Sequence, residues 1–276
     1  AQDPFQAETL QQYWQHWPAD EEQALFPVGI HVTREGPETF CLDFRPDWGT
    51  SRSGGSDFNA FLIGAPGSGK SIFLQSLVIS AAYRYSPRSL NFMLMDFKAG
   101  PSELAKARSL PHVVGFVDNL DMEKAGMAER ALQALEREFR RRDELFIRNG
   151  RPNDIFAYNQ RAPQEPLPHL LTIIDEFESG IRLVPNLVER LQKLGSLGRA
   201  YGMYFILANQ RTIREMEALQ DYVAWKVLLK VQNPEEMRMV DRSLPIPRGR
   251  GHGYVRVKDR IIEFQGGWAG AKVSQT

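Results

Sequence analysis

The chain is short of several things. It has a single cysteine, Cys41, among 276 residues. That excludes an intramolecular disulfide framework and a cysteine-rich metal site. Its five histidines, at 16, 31, 112, 169 and 252, are scattered, so they give a histidine metal site no local signature. No stretch approaches the roughly 18 consecutive apolar residues of a membrane-spanning helix. Nor is there an excess of charge: 34 Lys and Arg balance 34 Asp and Glu. A generally basic nucleic-acid binder is therefore disfavoured, although a balanced chain can still carry a local basic face. The opening Ala1-Gln2-Asp3-Pro4 has no initiator Met and no basic-then-apolar leader. The expectation is a piece of a longer protein whose membrane anchor, if any, lies elsewhere.

Hydrophobic residues make up 42% and charged residues 25%, ordinary values for a folded globular chain. Residues 1–56 read as an approach segment. Tyr13, Trp14 and Trp17 suggest an aromatic helix that docks on a neighbour. Two short strands are expected at 31–33 and 39–44, then a flexible loop over 49–56. From residue 57 the pattern changes. Apolar runs at 60–63, 91–96, 170–174, 203–208 and 224–231 alternate with helical stretches at 71–85, 121–149 and 186–199. Runs apolar on both faces, separated by helices, imply a parallel sheet covered on both sides. Gly251 to Gln265 reads as a hairpin, with His252 as a turn residue. Leu132, Leu135, Phe139 and Phe146 mark one face of the long helix. Arg140, Arg141 and Arg142 read as a solvated face paired with nearby acids.

Three strings carry chemistry. Gly64-Ala65-Pro66-Gly67-Ser68-Gly69-Lys70-Ser71 fits the phosphate-loop pattern G-x-x-x-x-G-K-[ST], after a strand and at the start of a helix that continues with Ile72. Its glycines let backbone N–H groups turn toward phosphates, and the helix N-terminus adds partial positive charge. Lys70 would reach the β and γ phosphates of ATP, and the Ser71 hydroxyl would ligate Mg2+. The second string is the apolar run 170–174 ending in Asp175-Glu176. Acids at a strand's carboxyl end face the ligand crevice of an α/β sheet. Asp175 would hold magnesium, and Glu176 would orient and deprotonate the attacking water. The third is the run to Ala208 followed by Asn209-Gln210-Arg211. Gln210 is the candidate to bridge the γ-phosphate and the water.

With these residues in place the chain resembles the FtsK/SpoIIIE ATPases, additional-strand P-loop NTPases with a RecA-like core. Within them it is most similar to the ATPase modules of type VII secretion proteins, EccC in actinobacteria and EssC in firmicutes, and among those to the first module. The resemblance runs over about residues 57–270. It is carried by Gly64 to Ser71, Leu94 to Gly100, Leu110-Pro111-His112-Val113, Asn119-Leu120-Asp121, Leu167 to Leu171, Asp175-Glu176-Phe177, Leu197 to Gly202, Ala208 to Arg211 and Gly251 to Tyr254. It implies a mostly parallel sheet of order 5-1-4-3-2 flanked by helices, with small edge hairpins and with the Gln210 strand between the phosphate-loop and acidic strands. Residues 57–270 would be the ATPase domain, 1–56 its approach segment and edge strands, and 271–276 a tail to a following module.

The resemblance also implies hexameric rings or tandem modules with each nucleotide between neighbours. It implies a secreted protein as substrate, a membrane anchor on the full-length protein, and a cytoplasmic position at a bacterial inner membrane. One departure stands out. Where the family carries an arginine finger on the fifth strand, this chain has Trp225-Lys226-Val227. Lys226 keeps the charge and loses the planar fork, so weak or neighbour-dependent hydrolysis is expected. Arg242, Arg238 and Arg199 are other cations that could serve. Asp96-Phe97-Lys98 matches the family at the tip of the second strand, either linking the site to the next segment or forming a strand-end ion pair. Segment 99–120 is a candidate pore or substrate loop. Two other functions stay open: a duplex-DNA translocase, and a nucleotide-binding structural module with little turnover.

Overall fold

The computed structural model of the protein describes residues 14, 25–44, 58–98, 100, 102–118, 125–219 and 223–268. The strands are β1 (Leu25–Thr33), β2 (Gly36–Asp43), β3 (Phe58–Ile63), β4 (Leu90–Asp96), β5 (Val113–Asp118), β6 (His169–Asp175), β7 (Met203–Asn209), β8 (Val223–Leu229), β9 (His252–Val257) and β10 (Arg260–Gly266). The helices are α1 (Lys70–Arg84), α2 (Ala125–Arg148), α3 (Ile155–Arg161), α4 (Phe177–Leu183), α5 (Leu187–Gly198) and α6 (Arg214–Ala218).

All ten strands join one sheet, in the order β2-β1-β10-β9-β8-β3-β7-β6-β4-β5. The five apolar runs stand in the anticipated 5-1-4-3-2 order as β8-β3-β7-β6-β4, all parallel. The full order differs in two ways. A sixth parallel strand, β5, extends the sheet past β4. Four antiparallel strands extend it past β8. The segment expected to be a pore or substrate loop is thus largely structured, with a 3-10 turn at Leu104–Ala107 before β5.

Alternate residues of the parallel strands feed two separate cores. Ala60, Leu62, Leu171, Ile173, Tyr204 and Ile206 pack on the side of α1, together with Phe73, Leu74 and Leu77. Phe61, Ile63, Leu170, Ile174, Phe205 and Leu207 pack on the other side, with Leu132, Leu135, Leu187 and Leu191. Both faces are covered, which is why the runs are apolar throughout rather than alternating. Helix α1 ends where Ser86-Pro87 cannot continue it. Helix α2 ends at Gly150, whose φ of 75° lets the Arg151 N–H reach back to the Phe146 carbonyl at 2.8 Å.

The charge run on α2 is not uniformly solvated. Arg141 is exposed and pairs with Glu138, but Arg142 is buried. Its guanidinium donates to Tyr201 O at 2.6 Å, Pro168 O at 2.8 Å and Glu138 Oε1 at 2.7 Å. His252 begins β9 rather than a turn and pairs with Glu263 at 2.7 Å. Trp14 packs on its own chain: its indole N–H donates to Tyr83 O at 3.1 Å, and its ring meets His112 edge-on. The other residues of the approach segment before 25, the loop at 49–56 and the tail after 270 lie outside the described residues. Among the described residues no helix is long and apolar enough to cross a membrane.

Candidate functional site

The carboxyl ends of β3, β7 and β6 meet at one edge of the sheet, where α/β proteins bind ligands. After Ile63 the chain turns through 64–69 into α1. The turn is tied to its neighbours by Gly64 N–H to Asn209 O at 3.1 Å and Ala65 N–H to Lys230 O at 2.9 Å. Gly67 and Gly69 sit at φ of 80° and 95°, where a side chain is strained. A Cβ on Gly64 would lie 2.5 Å from Ser68 Oγ, so that position too has no room. The Ser68 hydroxyl is buried with no hydrogen-bond partner among the described residues. A turn of this shape, with an orphan hydroxyl and a helix N-terminus behind it, fits a phosphate chain.

Lys70 opens α1 and is buried. Its Nζ contacts Asp175 Oδ1 directly and lies 3.5 Å from Glu176 Oε1. Asp175 is the last residue of β6 and is buried, and its carboxylate also accepts the Glu176 N–H at 2.9 Å. Glu176 has φ 56° and ψ 50°, a left-handed conformation uncommon for a non-glycine residue. Strain of this kind gathers at functional sites. Gln210, just past β7, donates from Nε2 to Glu176 Oε1 at 2.7 Å. Lys70, Asp175, Glu176 and Gln210, read from three separate strings, therefore form one contact cluster. Ser71 follows Lys70 in the first turn of α1.

Lys226 is not in that cluster. It lies in the body of β8, opposite Phe61 of β3 and Arg256 of β9, below the strand tips. Of the other cations, Arg238 pairs with Glu217 and Arg242 with Glu235.

Two further residues of the sequence strings stand beside the cluster. Asp96 ends β4 directly across from Asp175 and is buried. Burial raises its carboxyl above the ordinary range; a Ser102 hydrogen bond opposes the shift, and the charge on Asp175 adds to it. Its Oδ1 accepts the Lys98 N–H at 2.9 Å, a turn onto the backbone at the strand end; of the two readings of Asp96-Phe97-Lys98, an ion pair to Lys98 is not among the contacts of the described residues. Asn209 is buried at the end of β7, and its Nδ2 donates to Arg211 O at 2.8 Å. The signal for both was available: each is a polar residue closing an apolar run.

Among the described residues no group of three or more His, Cys, Asp or Glu side chains is arranged to hold a metal by itself. One carboxylate and one hydroxyl suit magnesium, which keeps several waters and takes phosphate oxygens.

The family model for FtsK/SpoIIIE matches residues 50–214, which span the phosphate loop, the acidic pair and Gln210. The chain belongs to the FtsK/SpoIIIE family. Among curated proteins it is similar to ESX secretion system protein EccC of Thermomonospora curvata, 31% identical over 234 residues, covering 82% of this chain and 18% of that protein. It is 32% identical over 212 residues to EccC4 of the Mycobacterium tuberculosis ESX-4 system, covering 74% of this chain and 17% of that one. To type VII secretion system protein EssC of Staphylococcus aureus it is 32% identical over 228 residues, covering 77% and 15%. The chain thus spans less than a fifth of the length of these relatives. Among solved structures it resembles the cytoplasmic domain of the Thermomonospora curvata type VII secretion ATPase EccC. The TM-score is 0.81 at 27% identity, over 99% of this chain and 32% of that one.

Proposed function

We propose that this FtsK/SpoIIIE-family chain is an ATP-binding and hydrolysing motor module of a membrane-associated translocase that drives type VII protein secretion. The observation that carries the reading is the single contact cluster of Lys70, Asp175, Glu176 and Gln210 at the mouth of the phosphate loop. Loop amides and Lys70 bind the β and γ phosphates. Ser71 and Asp175 hold Mg2+, which when bound offsets charge on the phosphates. Glu176 takes the proton of the water whose oxygen attacks the γ-phosphorus as the bond to ADP breaks. Lys70 and Gln210 both engage Glu176. A γ-phosphate that draws Lys70 and Gln210 toward itself leaves that carboxylate available to water. Gln210 so links nucleotide state to β7 and the segment after it.

The similarity to EccC and EssC supports a secreted protein as substrate. It equally supports neighbouring modules or protomers in a hexameric ring, a membrane anchor elsewhere on the full-length protein, and a cytoplasmic position. In this reading residues 57–270 are the ATPase domain and 271–276 lead to the next module. A lysine at the finger position, offered in trans as Lys226, gives weak hydrolysis in isolation. The same lysine favours a second reading, a nucleotide-binding structural module with little turnover.

Calorimetry with Mg-ATP on three versions of the chain tests the assignment. Lys70→Ala loses nucleotide binding. Glu176→Gln binds as tightly as the parent and hydrolyses roughly a hundredfold more slowly or worse. Unchanged ATP binding by Lys70→Ala sinks the reading. A parent rate no higher than that of Glu176→Gln favours the structural module.

A further inference from the structure

Gln210 stands on a short link, since β7 ends at Asn209 and α6 begins at Arg214. A side chain on such a link is only as well placed as the backbone on either side of it. On one side the placement is plain: Asn209 O accepts the Gly64 N–H of the phosphate loop at 3.1 Å. On the other side two carboxylates compete for the role. Glu178 of α4 takes the Arg211 guanidinium at 3.0 Å, but Arg211 is 68% exposed, and a surface pair of this kind contributes little. The second carboxylate is Glu236, which is buried.

Glu236 lies in a 3-10 turn, Pro234–Met239, that follows β8. The string Asn233-Pro234-Glu235-Glu236 has the spacing of a capping box, in which the glutamate turns back to the N–H of its own cap residue. Asn233 performs its half, accepting the Glu235 N–H at 3.0 Å. Glu236 turns outward instead, and its Oε1 accepts the N–H of Thr212 at 2.9 Å. A glutamate is seldom buried without a partner, and a charge-assisted bond to a backbone N–H offsets part of the cost of taking it out of water. The tie does not stand alone. The Thr212 hydroxyl lies 3.5 Å from Met239 Sδ, and Arg238 pairs with Glu217 of α6. Ile213 and Met216 share a core with Met237 and Met239.

We infer that Glu236 is a positioning residue for recognition of the γ-phosphate: by holding Thr212 it fixes where Gln210, two residues earlier, can reach. The inference rests on the reading that Gln210 engages the γ-phosphate, and it adds the residue outside the site that places Gln210 for that contact. It also joins the γ-phosphate to the turn that follows the strand carrying Lys226.

The test compares two nucleotides that differ in the γ-phosphate, Mg-ADP and the slowly hydrolysed Mg-AMPPNP, by calorimetry on the whole chain. Glu236→Ala weakens AMPPNP roughly fivefold, the size of one hydrogen bond made less favourable, and leaves ADP within about twofold of the parent. Glu236→Gln keeps an oxygen for the Thr212 N–H and stays within about twofold of the parent for both. Gln210→Ala shows the same selective loss, and Glu236→Ala added to it takes away less than about twofold more, because one residue acts through the other. Should Glu236→Ala melt below the assay temperature, Glu236→Met removes the acceptor at similar length and is expected to show the same selective loss. Equal weakening of both nucleotides overturns the inference, because the effect is then a general loosening. A full second loss in the double variant overturns it too. Gln210→Ala that loses the selectivity while Glu236→Ala keeps it overturns the inference alone. Gln210→Ala that binds both nucleotides as the parent does overturns the reading of Gln210, and the inference with it.

Discussion

At the scale of single residues, two side chains decide most. Glu176 pays for its position with a left-handed backbone, and both Lys70 and Gln210 engage its carboxylate. The placement of two carboxylates at a strand end was legible in the string Asp175-Glu176, because burial expels charge from a strand's body to its tip. The left-handed turn was not legible, since it follows from how α4 begins and not from composition. Arg142 is the opposite case. Three arginines in a row look solvated, but Arg142 follows Leu135 by seven residues and Phe139 by three. That spacing puts it on the buried face of α2, and the helical period alone could have found it. Its guanidinium satisfies two partly buried carbonyls from separate loops. Arg142→Met would strand both, so a loss of about 2–3 kcal/mol is expected from the urea midpoint. A change below about 0.5 kcal/mol, typical of surface sites, would mean the residue behaves as solvated after all.

At the scale of elements, five of the parallel strands were readable because both faces are covered and their residues are mostly apolar on both. The edge strand β5 escaped for the converse reason. Val114 is 58% exposed, and Gly115 stands where a Cβ would meet Met93 Sδ at 2.5 Å. An edge with a glycine and an exposed valine gives no two-faced run. Pro27 and the register shift between Pro27 and Gly29 likewise hid the first half of β1. The amino-terminal ends of β6 and β7, opposite the ends that carry Asp175 and Asn209, hold a buried polar pair: His169 Nδ1 shares a 2.9 Å hydrogen bond with Tyr204 Oη. Burial, with the Arg142 charge adding to it, lowers the His169 imidazole from 6.5 to about 3. The unfolded chain then takes up a proton at this ring that the folded chain refuses. The stability it contributes is complete above about pH 6.5 and is lost as pH falls toward about 3, at up to about 1.4 kcal/mol per pH unit. His112 is shifted in the same direction by burial. Melting temperatures measured from about pH 7 down to about pH 4.5 should fall less steeply for His169→Gln than for the parent. Parallel acid limbs would contradict the assignment.

At the scale of the whole molecule, the sheet is a six-strand parallel core with a four-strand antiparallel extension. The extension is not decoration. Its β9–β10 hairpin and the turn at 250–251 form one wall beside the phosphate loop, and β1 and β2 continue the sheet from it. The fold of the core and the three chemical strings could be read before any coordinates, because a phosphate loop needs a particular spacing. The wall could not, because it comes from chain packed beside the loop from about 180 residues downstream, with no motif of its own. Lys226 lies in mid-strand, outside the cluster of Lys70, Asp175, Glu176 and Gln210, and in the proposed reading a neighbouring copy or module supplies the cation of the finger position. The central claim is therefore an ATPase site centred on Glu176 and completed in trans. The most direct measurement is ATP turnover per molecule as a function of protein concentration, with Glu176→Gln as the blank. The account predicts a rate per molecule that climbs with concentration and is abolished in the variant; a rate that is flat with concentration, or that survives in Glu176→Gln, would contradict it.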